Sequence, residues 1–339
     1  MSAKSSFTIT ILIFISTSMC GTNSFTTASK PKVVATASMI ADMIKNIAGD
    51  HVEIKTIVPI GGDPHIYEAT PRDAQMVADA DLIFRNGLTF EGWLNELIAN
   101  AGSKADVITV TDGLAPISSL IYQNATDPHA WMDARNGLQY IENIKNTLVA
   151  FDSSNRASYE TNYIHYRSKL LEADGYIEER ISTIPENKRI LITSHDAFQY
   201  FGRRYGLRLE SILGTSTDAD IQTSDIVRIN RVIRESQVPA LFVESTINPK
   251  VLEQLARDND VVIGGKLYAD SIGDEDSPAP SYIEMLTHNT DVIVAGLMRD
   301  SSIQNDLTEG TSGNKTLIYV SLTGVLFLLF GILIYKFNR

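Results

Sequence analysis

The sequence predicts an α/β protein: two mainly parallel-sheet lobes joined by a long helix, followed by a C-terminal transmembrane helix. Three observations carry that prediction. Short apolar runs alternate with helical patterns in both halves of the chain, as in sheets whose two faces are covered by crossover helices. Between the halves, residues 155–184 hold no proline and one glycine, and Tyr159, Tyr163, Tyr166, Leu170, Ala173, Ile177 and Ile181 recur every three or four residues. That period predicts one amphipathic helix of roughly 40 Å, closed by Pro185. Finally, residues 317–335 are nineteen without a formal charge, flanked by Lys315 on one side and Lys336 and Arg339 on the other, close to the shortest stretch that crosses a bilayer.

With 339 residues the chain is long enough for two domains, each with its own core. The net charge of -12 and the lack of any basic run longer than Arg203-Arg204 exclude nucleic acid as a partner. The single cysteine, Cys20, rules out an intrachain disulfide and a thiolate metal site. Residues 1–28 read as a signal peptide, with Lys4 before a short apolar run at 7–15. Cys20 stands where a bacterial lipoprotein carries its acylated cysteine, but Met19 precedes it where a small residue is expected. Residues 299–314 are polar and read as a tether to an anchor at 315–336. Together these ends place the body outside the cell membrane as a single-pass protein. Sequons stand at Asn124 and Asn314.

In the first lobe, residues 31–150, strands are expected at 33–37, 52–58, 82–84 and 107–110. Ligands of such sheets meet the loops at the carboxyl ends of the strands. The loop after the second strand runs Pro59-Ile-Gly-Gly-Asp-Pro-His65-Ile-Tyr-Glu68-Ala-Thr-Pro71. Its glycines allow tight turns and its prolines stiffen the backbone on either side of one imidazole. Thr70 and Pro71 then read as the capped start of a helix. A second loop repeats Asp-Pro-His at Asp127-Pro-His129 and continues Ala-Trp-Met-Asp133. Two neutral imidazoles from one lobe could face one metal ion, with Asp127 or Asp133 taking a ring N–H. Trp131 reads as packing.

The linking helix is assigned to 151–184 and the second lobe to 185–298. Strand 189–193 runs into Ser194-His195-Asp196-Ala-Phe-Gln-Tyr-Phe201, which reads as helical, so His195 sits at a strand-to-helix junction. Adjacent Ser194, His195 and Asp196 do not make a hydrolytic triad, and no nucleophile elbow is present. Strand 240–243 ends in Glu244, read as a hinge or supporting carboxylate. Strand 261–263 leads into a glycine-rimmed loop, Gly264 to Gly273, that carries Asp270. A carboxylate there would offset the charge of a cation held by histidines. His51, His165 and His288 read as structural or surface residues.

Taken in order, Gly62-Asp-Pro-His65-Ile-Tyr-Glu68, Asn86-Gly-Leu, Glu91-Gly-Trp, Asp127-Pro-His129-Ala-Trp-Met-Asp133, Thr193-Ser-His195-Asp-Ala-Phe198, Phe242-Val-Glu-Ser and Leu267-Tyr-Ala-Asp270-Ser-Ile-Gly273 resemble the zinc/manganese solute-binding proteins of ABC importers, a cluster that includes adhesin-like lipoproteins. The resemblance spans about residues 31–298. It implies two α/β lobes on a rigid backbone helix with a metal at their interface, and His65, His129, His195 and Asp270 as its ligands. It implies zinc or manganese as the transported cation, an ABC permease and its ATPase as partners, a monomeric body and no catalysis. The long histidine-rich loop of many zinc members is missing here, since 118–126 hold no histidine, while many manganese members carry glutamate at the place of His195. The rivals are a surface adhesion module with a structural metal and a zinc hydrolase, the latter needing a general base such as Glu68 or Glu244.

Overall fold

In the computed structural model, which describes residues 29–118 and 126–299, a four-stranded parallel sheet forms the first lobe, in the order β2-β1-β3-β4. Its strands are β1 (Lys32–Ala35), β2 (Glu53–Thr56), β3 (Leu82–Arg85) and β4 (Asp106–Thr109), connected by α1 (Ser38–Ala48), α2 (Pro71–Ala78) and α3 (Leu94–Ala101). Register is fixed by pairs such as Val33–Ile54, Val34–Ile83 and Phe84–Ile108. α2 starts as its sequence demands: the Thr70 side chain accepts from Asp73 N–H, the Asp73 carboxylate accepts from Thr70 N–H, and Pro71 takes the first turn.

α4 (Ala134–Phe151) and α5 (Arg156–Ser182) follow, separated by one tight turn at Ser153–Asn155. α5 is the expected long helix, at 27 residues. The second lobe holds β5 (Ile190–Thr193), α6 (Gln199–Tyr205), β6 (Arg208–Ser211), α7 (Thr223–Ser236), β7 (Ala240–Glu244), α8 (Lys250–Asp258) and β8 (Val262–Leu267), and α9 (Tyr282–Leu297) returns against α5 and β8. All strand pairs here are parallel, but they form two ladders, β5-β6 and β7-β8; β5 lies beside β7 without a hydrogen-bonded ladder between them.

The largest core runs through both halves: Met39 and Met43 of α1, Tyr140 and Ile144 of α4, Leu170 and Ile177 of α5, and Met285 and Ile293 of α9 are all buried in it. Each lobe also has a smaller core of its own, around Val34, Ile83 and Leu94 in the first and Ile192, Ile229 and Leu241 in the second. At the middle of α5, buried Asp174 receives Arg135 Nε from α4 (2.6 Å), Arg204 Nε (3.1 Å) and Nη2 (2.9 Å) from α6, and the Tyr205 hydroxyl (3.0 Å). Burial opposes the charge on Asp174, but the bonds from Arg204 and Arg135 hold its carboxyl below the usual range. One carboxylate therefore fastens the linking helix to an element on either side.

Three expectations change. Residues 194–198 are not helical: α6 begins only at Gln199, because the backbone around His195 makes other bonds, Asp196 N–H to Gly214 C=O (3.1 Å) and His195 N–H to Glu244 Oε1 (2.8 Å). Gly264 and Gly265 lie inside β8 rather than in a loop. A Cβ on Gly264 would stand 2.7 Å from the Phe242 ring, and one on Gly265 would stand 2.5 Å from Val292 of α9, so both glycines admit close packing of strand against strand and helix. The third change concerns the C-terminal transmembrane helix. No helix of the described residues is long and apolar enough to cross a membrane. The longest, α4 and α5, carry Arg135, Glu142 and Lys145, and Arg167, Lys169, Glu172, Glu178, Glu179 and Arg180. Residues 315–336, where the anchor was expected, lie outside the described residues, as do the signal segment 1–28 with Cys20, the sequons at Asn124 and Asn314, and all but the first residue of the tether. Among the described residues the fold is thus two parallel-sheet lobes on a long helix, with no helix that could cross a membrane, and the single-pass localisation and the membrane as a partner through that helix are corrected with it.

Candidate metal centre

Four side chains from four loops at strand ends converge between the lobes: His65 after β2, His129 after β4, His195 after β5 and Asp270 after β8. One ligand atom from each lies within 4.8 Å of the others. The Nε2 atoms of His65 and His129 are 3.3 Å apart, and those of His129 and His195 are 3.2 Å apart. Asp270 Oδ1 lies 3.4 Å from His129 Nε2, and Oδ2 lies 3.2 Å from His195 Nε2 and 3.9 Å from His65 Nε2. Around a tetrahedral ion with bonds of about 2.0–2.1 Å, neighbouring ligand atoms stand about 3.3–3.4 Å apart. The four spacings of 3.2–3.4 Å among His65, His129, His195 and Asp270 match those edges, while the His65–Asp270 distance of 3.9 Å is longer.

The chemistry of the donors fits a cation as well. Apart from the imidazole nitrogens that face them, neither Asp270 oxygen has a hydrogen-bond partner, although both are buried. An isolated buried carboxylate is costly, so this one calls for positive charge at its centre. His129, His195 and Asp270 are fully enclosed, whereas His65 lies at the edge of the cluster with a side chain 3% exposed.

Two of the three rings are oriented by carboxylates on their far side. Asp127 Oδ1 lies 2.7 Å from His129 Nδ1 and also accepts the His129 backbone N–H at 2.9 Å. Glu244 Oε2 lies 2.6 Å from His195 Nδ1 while Oε1 takes the His195 backbone N–H. Each such pair directs Nε2 inward and raises its basicity. Of the two carboxylates weighed for His129, Asp127 does this; Asp133 instead caps α4 by accepting from Arg135 N–H at 2.8 Å. Trp131 is buried, as expected for packing, and its Nε1 also donates to Ala269 C=O across the lobes at 2.9 Å, beside Asp270.

The charges respond to this arrangement. Burial lowers the pKa of His65 to about 3. Burial also acts to lower His129, but the bonds with Asp127 and Asp270 outweigh it and raise the ring to about 9. At His195 burial is likewise outweighed, by the Glu244 and Asp270 charges, and the pKa rises well above that of a free imidazole. Asp270, despite burial, is held well below the usual carboxylate range by the His195 charge and its bonds to His129 and His195.

Several positioning residues had no role assigned from sequence. The Asn86 side chain donates to Pro128 C=O (2.9 Å) and accepts the Tyr140 hydroxyl, while Glu91 grips Asn86 N–H (2.6 Å), Gly87 N–H (3.0 Å) and the Thr36 hydroxyl (2.7 Å). Tyr200 donates its hydroxyl to Asp127 C=O (3.0 Å), and Trp93 Nε1 donates to Pro64 C=O (2.8 Å). The signal was their place: Asn86 and Glu91 are polar residues directly after a buried strand, where the loops of such sheets hold ligands. His51 packs edge-on against Tyr159 and His288 against Tyr268, and neither belongs to the cluster.

A family described as the periplasmic component A of the zinc-uptake complex, ZnuA, matches residues 33–296. The chain is 37% identical over 264 residues to the manganese ABC transporter substrate-binding lipoprotein PsaA of Streptococcus pneumoniae, covering 75% of this chain and 85% of that one. It is 37% identical over 261 residues to the metal ABC transporter substrate-binding lipoprotein SsaB of Streptococcus sanguinis, covering 75% and 84%. Among solved structures, the periplasmic zinc binding protein TroA from Treponema pallidum superposes with a TM-score of 0.76 at 33% identity, covering 80% of this chain and 100% of that one. A manganese-bound periplasmic metal binding protein from Candidatus Liberibacter asiaticus does so with a TM-score of 0.73 at 33% identity, covering 79% and 100%.

Proposed function

The chain belongs to the ZnuA family, and we propose that His65, His129, His195 and Asp270 are the protein ligands of the cation it carries. The protein captures a divalent metal outside the cytoplasm for delivery to an ABC permease, and it is not an enzyme. The observation that carries the ligand assignment is Asp270: a buried carboxylate with both oxygens turned to three imidazole nitrogens and no other partner.

Capture replaces protons by metal. In the metal-free protein His129 and His195 hold protons that offset Asp127, Glu244 and Asp270. A divalent ion supplies that charge itself and releases protons from the nitrogens it engages. Four protein ligands leave no open position for an activated water, which separates this site from a hydrolase. Neither carboxylate considered as a general base stands free beside it: Glu68 is exposed and Glu244 is engaged on the outer side of His195.

Zinc and manganese both suit the set. Three nitrogens and one carboxylate oxygen make a tetrahedral zinc site, and the second Asp270 oxygen offers a further donor for manganese. Zinc should bind more tightly in vitro whichever ion is the physiological cargo. The test is competitive titration of the purified protein with zinc and manganese, paired with uptake of each ion by cells lacking the protein. One ion per chain, and uptake of one metal restored by the wild type but not by an Asp270→Ala variant, is expected. Stoichiometric binding that survives Asp270→Ala would refute the ligand assignment. Slow release and unfolding on chelation would favour the adhesion reading.

A further inference from the structure

The loop that carries His65 touches the opposite lobe at two points. Gly61 N–H donates to the hydroxyl of Ser271, next to Asp270, at 2.9 Å. Two residues on, Asp63 divides its carboxylate: Oδ1 accepts the backbone N–H of His65 at 2.9 Å, and Oδ2 accepts the hydroxyl of Thr217 at 2.6 Å. Thr217 belongs to the polar connection between β6 and α7, on the far wall of the cleft. A single side chain thus ties the backbone of one candidate ligand to the other half of the molecule.

The tie stands at the opening. A cavity of about 330 Å³ is lined by His65, Thr89, Pro128, Thr215, Ser216 and Asp218, and among the four converging residues His65 alone reaches it. His129, His195 and Asp270 are wholly enclosed. An ion leaving the cluster toward this cavity passes His65 and the segment on either side of Thr217. His65 also lacks what holds the other two rings, for the carboxylate near it binds its backbone N–H and not its Nδ1.

We propose that Asp63 and Thr217 form a latch across the cleft mouth that sets how long bound metal is retained. The inference rests on the reading of His65, His129, His195 and Asp270 as cargo ligands. Separating the walls at this point breaks the Thr217 bond, and Asp63 is then free to move with the first-lobe loop, taking the His65 backbone with it. Metal enters while the latch is open, so the latch acts on release more than on association. Asp63 and Thr217 are positioning residues and touch no metal.

The experiment measures zinc association and dissociation by stopped flow, with a chromogenic chelator as acceptor, in the full chain and in Thr217→Val, Thr217→Ser, Asp63→Ala and the double variant Asp63→Ala/Thr217→Val. Melting of each metal-free protein is recorded alongside. Thr217→Val removes the hydroxyl at nearly constant volume. A hydrogen bond to a charged group of this kind sets release about 10-fold faster or more on its loss, with association within about 2-fold of wild type. Thr217→Ser, which keeps the hydroxyl, releases at close to the wild-type rate. In the Asp63→Ala background Thr217→Val adds nothing, because the partner is gone. The latch is overturned if Thr217→Val releases metal within about 2-fold of wild type, if serine and valine accelerate release equally, or if the valine effect is undiminished in the Asp63→Ala background. A variant that melts lower without metal is judged on that double-variant comparison. Failure of the wild type to bind zinc would refute the site assignment instead and is read before any variant.

Discussion

The His65 loop and the strand ends that carry His195 and Asp270 meet at the same point, yet they are held differently. His195 is gripped twice by Glu244, at Nδ1 and at its backbone N–H, within fully buried surroundings. Among the described residues no carboxylate holds the outer nitrogen of the His65 ring; Phe90 packs edge-on against it at 4.9 Å, and its loop is steadied by Trp93 through Pro64 C=O. The pKa directions divide the same way, with His195 raised and His65 lowered. The contrast teaches that the enclosed half supplies a charged cradle braced by outer carboxylates, while the rim supplies a neutral ligand with no such brace on its ring.

The largest effects should come from the cradle. If about 10–16 kcal/mol of binding is shared by four ligands, removing one costs on the order of 100-fold or more. Asp270→Ala and His195→Ala should each lose at least that much zinc affinity by competitive titration. His65→Ala should lose about tenfold less than His195→Ala, since a less constrained ligand contributes less beyond its entropy cost. Equal losses for the two histidines would break the contrast.

Outer carboxylates come next. Glu244→Gln and Asp127→Asn keep a group near each ring but remove its charge, and each should weaken metal affinity about 10–100-fold. Calorimetry would check this, and an effect below about 2-fold would mean that ring orientation comes from packing alone.

Acidity separates the halves in a third way. A ring whose pKa is raised to about 9 must lose its proton before Nε2 can bind metal. Apparent affinity should therefore fall steadily as pH is lowered from about 8 to about 6, with protons released on binding. His65, lowered to about 3, is already neutral there and adds nothing to the slope. An affinity that stays flat across this window in isothermal titrations would contradict the assignment of protons to the cradle.

The smallest effect concerns stability. Trp131→Phe leaves the buried Ala269 C=O without its cross-lobe donor and should lower folding stability by about 1–3 kcal/mol in urea denaturation. Trp93→Phe, at the half-buried rim, should cost about 1 kcal/mol or less. The reverse order would place the weaker support at the enclosed side.

Much of this was legible in the residues. Alternating apolar runs gave the parallel strands, an unbroken helical period gave α5, and the two Asp-Pro-His tripeptides marked loops that do converge. His195 and Asp270 could be placed at strand ends but joined to the others only through the family resemblance, because no spacing rule connects residues 75 positions apart. The choice between Asp127 and Asp133 was hidden, since both are close enough in sequence and only the turn geometry decides. Gly264 and Gly265 looked like loop residues because the partners that require them, Phe242 and Val292, are distant in the chain. The helix expected at 194–201 begins only at Gln199 for a similar reason: the backbone N–H groups of His195 and Asp196 bond to Glu244 and Gly214, which are distant in the chain. The expected C-terminal membrane anchor finds no counterpart among the described helices.

The Asp174 node has a consequence for how an importer could recognise a laden carrier. Because α4, α5 and α6 are riveted together at mid-height, the two halves cannot swing widely without breaking the ion cluster around buried Asp174. The silhouette of the carrier should then barely alter with its freight. A docking partner would have to sense the difference by touch, through small changes at the lip of the cleft.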